Sequence, residues 1–481
     1  MKRFLQPRLF FLLLFLSAQI VFSQEIIKKG AHQLQKEEFG NNEKVDHTFN
    51  LSKREIISFQ KRESITLSKI VFGFLPYWEY NSNAHNNIQY NLLTHLAVFD
   101  FSASSTGAIT NPSNWPWTDV INASHSNGVK VLMVVTNFNG SEINTIITNT
   151  TSKNNLFDNI KNTITTYNLD GVNIDFEGLN NTDEGSVINN FMSELTTYIH
   201  TQLPGKEVSF DSPAVNWGND WDLNELVQSV DHLFIMAYDY NGSWSNNTGG
   251  VAPYTYPNNG ISVTKTLNND YSVPIINFPE KLILGVPYYG KHWKTATGIA
   301  ESVVTSYVGS TFFRDDITNA ASNGGYLWDS NSQTSWYRWN DGADWNQVWS
   351  DNSQSIENKF DLAITKNLGG VGMWALNYDG TRTELWDLIN TKFGTTASVE
   401  DSFINTIKVS PNPASIFIQI VNLNNLKLNK IELFNTLGQI TIKSNPESKY
   451  IDINNLTNGI YFLKIEDEIG NIRTFKILKY N

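Results

Sequence analysis

Eight short strand-like segments recur between residues 66 and 393, with helix-like stretches between them. They are Ile70–Phe74, His95–Phe99, Lys130–Val135, Gly171–Asp175, Glu207–Asp211, His232–Tyr238, Leu282–Pro287 and Val371–Ala375. Leu156–Tyr167 and Glu184–Gln202 carry helical periodicity. Parallel strands need crossover connections, and a helix is the usual one. Eight such units predict an α/β fold, the (β/α)8 TIM barrel. The gap between the seventh and eighth strands is the longest, which predicts a small α+β insertion at about 293–351 overhanging the barrel mouth. Its Tyr326-Leu327-Trp328 and Trp336-Tyr337-Arg338-Trp339 could form the lobe's own core or a cleft wall, and both readings stay open.

The fourth segment is chemically unusual. In Asp170-Gly171-Val172-Asn173-Ile174-Asp175-Phe176-Glu177 the polar residues fall at every second position. Side chains alternate along a strand, so Asn173, Asp175 and Glu177 point one way and Val172, Ile174 and Phe176 the other. Burying two acids on one face is costly unless they are paired or used. In a barrel of this kind the C-terminal strand ends face the active site. Other strand ends there carry Pro76-Tyr77-Trp78-Glu79, Ser209-Phe210-Asp211-Ser212, Met236-Ala237-Tyr238-Asp239 and Gly372-Met373-Trp374-Ala375.

The flanks differ from the barrel. Residues 1–23 join a basic start to a short apolar run ending at Ser23, which predicts a cleaved secretory signal, with an uncleaved anchor as the alternative. Residues 24–65 are a polar lead-in, expected to be weakly structured. The barrel domain is expected over 66–393 and a small polar linker over 394–404. Residues 405–481 alternate with period two between turn signals, as in Ile416-Phe417-Ile418-Gln419-Ile420, and predict a small all-β sandwich.

Composition narrows the partners. The net charge of -12 argues against nucleic acid or an anionic membrane surface, and no later segment is long and apolar enough for stable membrane insertion. A neutral polysaccharide is compatible, and 14 Trp, 19 Tyr and 28 Phe supply rings that can stack on sugars as well as fill a core. With no cysteine there is no disulfide or thiolate metal site, and the eight His show no metal-ligand spacing, so no metal and no cofactor are expected. A monomer is expected.

The fourth segment resembles the active-site signature of the family-18 glycoside hydrolases, which include the chitinases. Met236-Ala237-Tyr238-Asp239, Gly285–Gly290 and Trp374 resemble further motifs of that family, and the likeness runs over about 70–385. The wording Gly171-Val172-Asn173-Ile174-Asp175-Phe176-Glu177 is most similar to the bacterial cell-wall and spore branch. The resemblance implies a secreted retaining hydrolase that cuts β-1,4 bonds next to N-acetylglucosamine. Asp175 and Glu177, roughly 6.5 Å apart along one face, approach the sugar from one side, which suits a nucleophile supplied by the substrate's acetamido oxygen. Glu177 is then implied as general acid and later base, Asp175 as the group that orients the acetamido, and Tyr238 as its hydrogen-bond donor. Trp374 is implied as the stacking floor, with Met236 and Asp239 lining the subsite. Tyr77, Trp78 and Asp211 are expected among the substrate-binding residues, and Asn173 among the catalytic ones.

Two departures bear on specificity. Many chitinases have Asp where this chain has Asn173, and Val134-Val135-Thr136-Asn137-Phe138-Asn139-Gly140 replaces the usual Ser-x-Gly-Gly of the third strand. Chitin, peptidoglycan strands and N-glycans all offer an acetamido group, so the motifs do not separate them. A lectin-like barrel that binds without cutting is the non-enzymatic alternative, and the presence of Glu177 weighs against it. The last segment resembles the C-terminal sorting domain of the bacterial type IX secretion system, through Pro411-Asn412-Pro413, Leu433-Phe434-Asn435-Thr436-Leu437-Gly438-Gln439 and Leu456–Phe462. That implies export through the periplasm and outer membrane to the surface or medium.

Overall fold

The computed structural model describes residues 29–41, 55–60, 66–80, 84–395, 407–422, 427–468 and 472–480. The expected signal, residues 1–23, and most of the expected linker lie outside the described residues.

Eight parallel strands close into a barrel. In chain order they are Ile70–Pro76, His95–Ala103, Lys130–Asn137, Gly171–Phe176, Glu207–Pro213, His232–Met236, Leu282–Pro287 and Gly370–Trp374. Each pairs with its neighbour in sequence, and the eighth pairs with the first at Gly370–Ile70, so no edge is left open. A short strand, Ile109–Thr110, adds antiparallel to the end of the second. The barrel is filled by rings: Phe74 and Phe234 meet edge to face at 4.9 Å, and Phe72 packs on Phe74 at 5.1 Å. Glycines make the room. A Cβ on Gly372 would lie 2.4 Å from the Phe234 ring, and one on Gly285 2.6 Å from it.

The helices around the barrel follow from their sequences. Thr150–Tyr167 buries Leu156, Phe157, Ile160 and Ile164, a stripe spaced three and four apart. Asn149 caps its start by accepting from the Thr151 and Ser152 amides, and Asn168 ends it in the left-handed region at φ 51°. Ser186–Gln202 buries Ile188, Phe191, Met192, Leu195 and Ile199 in the same way.

Between the seventh and eighth barrel strands the chain builds a five-stranded antiparallel sheet. Its spatial order is Val304–Phe312, Tyr289–Thr295, Trp345–Ser350, Thr334–Asn340 and Leu327–Asp329, and the helix Phe313–Ser322 packs beside it. Trp336 stacks on Trp349 at 5.2 Å, with Trp293 in the same cluster, so these indoles are the lobe's own core. Trp328 instead remains exposed.

The expectation of a weakly structured lead-in needs correction. Ala31–Phe39 is a helix, and His32 and Gln35 on it are fully buried. Residues 55–60 run along the helix Thr118–Ser126, where Ile57 N donates to Asn122 and Ile57 O lies 2.7 Å from His125 Nδ1. Thr66–Leu67 pairs with Gly394–Thr395, so the first two residues of the expected linker form a strand across the ends of the barrel segment.

The C-terminal residues form two antiparallel sheets, one of three strands and one of four. Ile407, Ile418, Ile420 and Ile451 from the first meet Ile431, Leu433, Leu463, Ile465 and Ile477 from the second in one core, a small all-β sandwich. Among the described residues no helix is long and apolar enough to cross a membrane.

Candidate active site

The alternation of the fourth strand carries through to three dimensions. Phe176 faces out and meets Phe191 of the covering helix at 5.9 Å between ring centroids. Asn173 and Asp175 are fully buried, and Glu177 is 4% exposed just past the strand end. Asn173 Nδ2 donates to Ser209 Oγ at 3.0 Å and to Asp211 Oδ1 at 2.9 Å, both on the fifth strand. Asp211 is thereby joined to the polar face of the fourth strand.

Electrostatics follow from this crowding. Burial, reinforced by Asp100, pushes the Asp175 carboxyl well above the usual range, against the pull of Lys36. Burial and the neighbouring Asp175 do the same to Asp211. Glu177 is pushed up to about 8, first by burial and then by the Asp175 charge, while His32 and two backbone amides pull the other way. A carboxyl in that range is protonated at neutral pH and can act as an acid.

The other expected residues lie on neighbouring strand ends. Tyr238 comes two residues after the sixth strand, which stops at Met236, and its hydroxyl is 2.7 Å from His32 Nε2. Trp374 ends the eighth strand and is fully buried. Trp78 follows the first strand, sits edge-on to Trp374 at 6.2 Å and donates to Tyr378 OH. Tyr77 donates to Gly40 O at 3.1 Å. Asp239 accepts from Tyr289 OH at 2.6 Å and lies 3.4 Å from Lys291 Nζ. Met236 is buried at its strand end.

Sequence reasoning missed several participants. Asp100, on the second strand between Phe99 and Phe101, accepts from Thr136 Oγ1 at 2.5 Å and Ser102 Oγ at 3.0 Å. An acid inside an apolar strand was a usable signal. The Ala31–Phe39 helix gave none, yet its residues fill the middle of the site. The His32 imidazole stacks on Trp374 with centroids 3.7 Å apart and planes 21° from parallel. Its Nδ1 is 2.9 Å from Asp175 Oδ2. Glu177 Oε1 accepts from His32 N at 3.2 Å, and Oε2 from Gln33 N at 2.8 Å.

Comparison with known proteins bears on the family and the fold. Residues 71–379 match the family described as glycosyl hydrolases family 18, and residues 408–479 match the secretion system C-terminal sorting domain. Probable chitinase 2 of Drosophila melanogaster is 26% identical over 65% of this chain and 72% of its own length. Human di-N-acetylchitobiase is 30% identical over 47% of this chain and 65% of its own length. Among solved structures, the Bacillus cereus spore cortex-lytic enzyme SleL superposes with a TM-score of 0.58 at 20% identity, covering 69% of this chain and 75% of that one. A family-18 chitinase from Cycas revoluta in complex with (GlcNAc)3 gives 0.58 at 20% identity, covering 67% and 99%. The structural likenesses speak to the fold, and the sequence match spans the barrel together with its acid-bearing fourth strand: the chain belongs to the family-18 glycosyl hydrolases and carries a C-terminal sorting domain of the type IX secretion kind.

Proposed function

We propose that this protein is a secreted retaining hydrolase that cleaves β-1,4 linkages next to N-acetylglucosamine in chitin or chito-oligosaccharides, with the substrate's own acetamido group as nucleophile. One observation carries the reading: Asp175 and Tyr238 bracket a single position over Trp374, within 2.9 and 2.7 Å of the two nitrogens of one ring. A flat group with a donor on one side and an acceptor on the other fits there, and an acetamido group has that pattern.

The chemistry then runs from one side of the sugar. The Glu177 carboxyl gives its proton to the glycosidic oxygen as the bond from that oxygen to C1 breaks. The acetamido oxygen attacks C1 and forms a cyclic oxazolinium, while Tyr238 directs it and Asp175 accepts the acetamido N–H and offsets the positive charge. The Glu177 carboxylate next takes a proton from water, which opens the ring at C1 from the face the leaving group left. Two inversions give retention. Trp374 supports the sugar face, Trp78, Tyr77, Met236, Asp239 and Asp211 line the surroundings, and Asn173 fixes Asp211. The exposed indoles Trp217 and Trp244, in loops after the fifth and sixth strands, offer further stacking surfaces along the mouth.

The names of the relatives support chitin chemistry: a probable chitinase and a di-N-acetylchitobiase. The sorting domain supports export by the type IX route, with the sandwich as the part the machinery reads. Wild type and Glu177→Gln should be compared on chito-oligosaccharides, peptidoglycan and an N-glycan, with products read by mass and anomers by NMR. Cleavage of chito-oligosaccharides with the β-anomer appearing first, reduced by about a thousandfold or more in Glu177→Gln, is expected. The α-anomer first, or undiminished cleavage by Glu177→Gln, would refute the mechanism, and cleavage of peptidoglycan alone would move the substrate.

A further inference from the structure

The helix Ala31–Phe39 lies over the centre of the site, from Glu177 at one end to Ser310 of the inserted sheet at the other. Its start is at Glu177, where Gly30 offers no side-chain cap and Glu177 accepts from the second and third helical amides in its place. Only glycine fits the approach, since a Cβ on residue 30 would lie 2.1 Å from Glu177 Cδ. Gln35 Oε1 accepts from Trp374 Nε1 and from Tyr378 OH, both at 2.8 Å. Lys36 Nζ donates to Asp100 Oδ2 at 2.5 Å and to Ser102 Oγ at 2.9 Å. At the far end Glu38 accepts from Ser310 N and Oγ of the inserted sheet, each at 2.7 Å, and Phe39 packs on Phe312 at 4.9 Å.

His32 is the centre of the contact. An imidazole with its proton on Nδ1 donates to Asp175 and accepts from the Tyr238 hydroxyl, while its face lies on Trp374. Donor, acceptor and stacked plane are those an acetamido-bearing sugar would present to the same three residues. Asp175 Oδ2, the Tyr238 hydroxyl, both Glu177 oxygens and Trp374 Nε1 are therefore already engaged by the chain itself.

We propose that residues 29–41 are an autoinhibitory plug, in which His32 stands in for the acetamido group of the substrate and Glu177 is held by the helix it caps. The proposal rests on the reading of Glu177, Asp175, Tyr238 and Trp374 as the N-acetylglucosamine centre. A GlcNAc unit cannot stack on Trp374 until the helix leaves. The plug competes as a tethered ligand, so its effective concentration is high without any binding partner. The apparent affinity for glycan is lowered by the fraction of chains in which the site is open. The chain as folded is latent, and displacement or removal of the helix switches it on.

The test uses the full chain with His32→Gly and Lys36→Glu combined, which removes the stacked ring and sets an acid against Asp100. The expected result is a kcat/KM on chitotetraose higher by about tenfold or more. Chitotetraose binding, titrated by tryptophan fluorescence in a Glu177→Gln background, should tighten by a similar factor. Equal rates and equal binding in wild type and variant would overturn the plug, and so would binding by neither. Tighter binding by the variant with cleavage by neither would uphold the plug and refute the hydrolase. If the double variant does not fold, Gln35→Ala is titrated instead, with at least about threefold tighter binding expected and no change overturning the proposal.

Discussion

Asn173 Nδ2 donates to Asp211 Oδ1 across 2.9 Å, linking the fourth and fifth strands inside the barrel. An amide nitrogen supplies two donors, and a carboxylate supplies none. Asn173→Asp would set a third acid beside Asp175 and Asp211, both of which burial already pushes well above the usual range. Added negative charge raises the proton affinity of every carboxyl around it, Glu177 included. The pH profile of kcat/KM should move as a whole toward higher pH, by about one unit. An unmoved profile would refute this account of Asn173.

Asp175 acts on Glu177 in the same sense. After burial, its charge is the next cause holding Glu177 up near 8. Asp175→Asn removes that charge, so Glu177 loses its proton at lower pH. The alkaline limb of the residual activity should shift toward acid, while the rate falls by about 10²–10⁴ through loss of the group facing the acetamido nitrogen. A pH–rate series on Asp175→Asn checks both, and an alkaline limb that stays or rises would contradict the coupling.

These two cases rest on residues that were legible in the sequence. The period-two polarity of Asn173, Asp175 and Glu177 needs only strand geometry to be read. The barrel strands were legible for a related reason, since each is a short apolar run between helices. Their ends were less so. The second, third and fifth strands run on through Ser102-Ala103, Thr136-Asn137 and Ser212-Pro213, where polar residues suggest a loop. At a barrel mouth such residues face the cleft while their backbones still pair. His32 was not legible at all. It bonds Asp175 and Tyr238, 143 and 206 residues away in sequence, and the two large side chains its helix buries, His32 and Gln35, are polar. A segment made to fit a polar cleft has the composition of one made to face water.

Arg314 ties the inserted lobe to the barrel. Its Nη1 and Nη2 donate to the two oxygens of Glu79 at 3.0 and 3.1 Å, Nη1 also reaches Asn377 O at 2.5 Å, and the guanidinium lies 4.3 Å over Phe312. A lysine keeps the charge but loses the fork and the flat stack. Arg314→Lys should therefore destabilise the protein by roughly 1–3 kcal/mol. A thermal melt against wild type measures this, and an unchanged midpoint would show that the lobe is held by other contacts.

At the opposite end of the barrel, Glu207 begins the fifth strand and accepts from His95 at 2.9 Å and from Lys130, which begin the second and third. Burial raises this carboxyl, but His95 and Lys130 outweigh it and hold it at about 2, below its ordinary 4.5. A carboxylate whose folded value is depressed contributes stability that is complete above the unfolded value and disappears as pH falls through the folded one. Here the window runs from about 4.5 down to about 2. The shift corresponds to roughly 3 kcal/mol at pH 7. Glu207→Gln should melt well below wild type at pH 7, and the gap should narrow as pH falls through that window, because wild type loses the same ionic contribution. Melting midpoints of both proteins from pH 7 to pH 2 decide it: a gap that stays constant would mean that Glu207 stabilises the barrel by packing and neutral hydrogen bonds rather than by its charge.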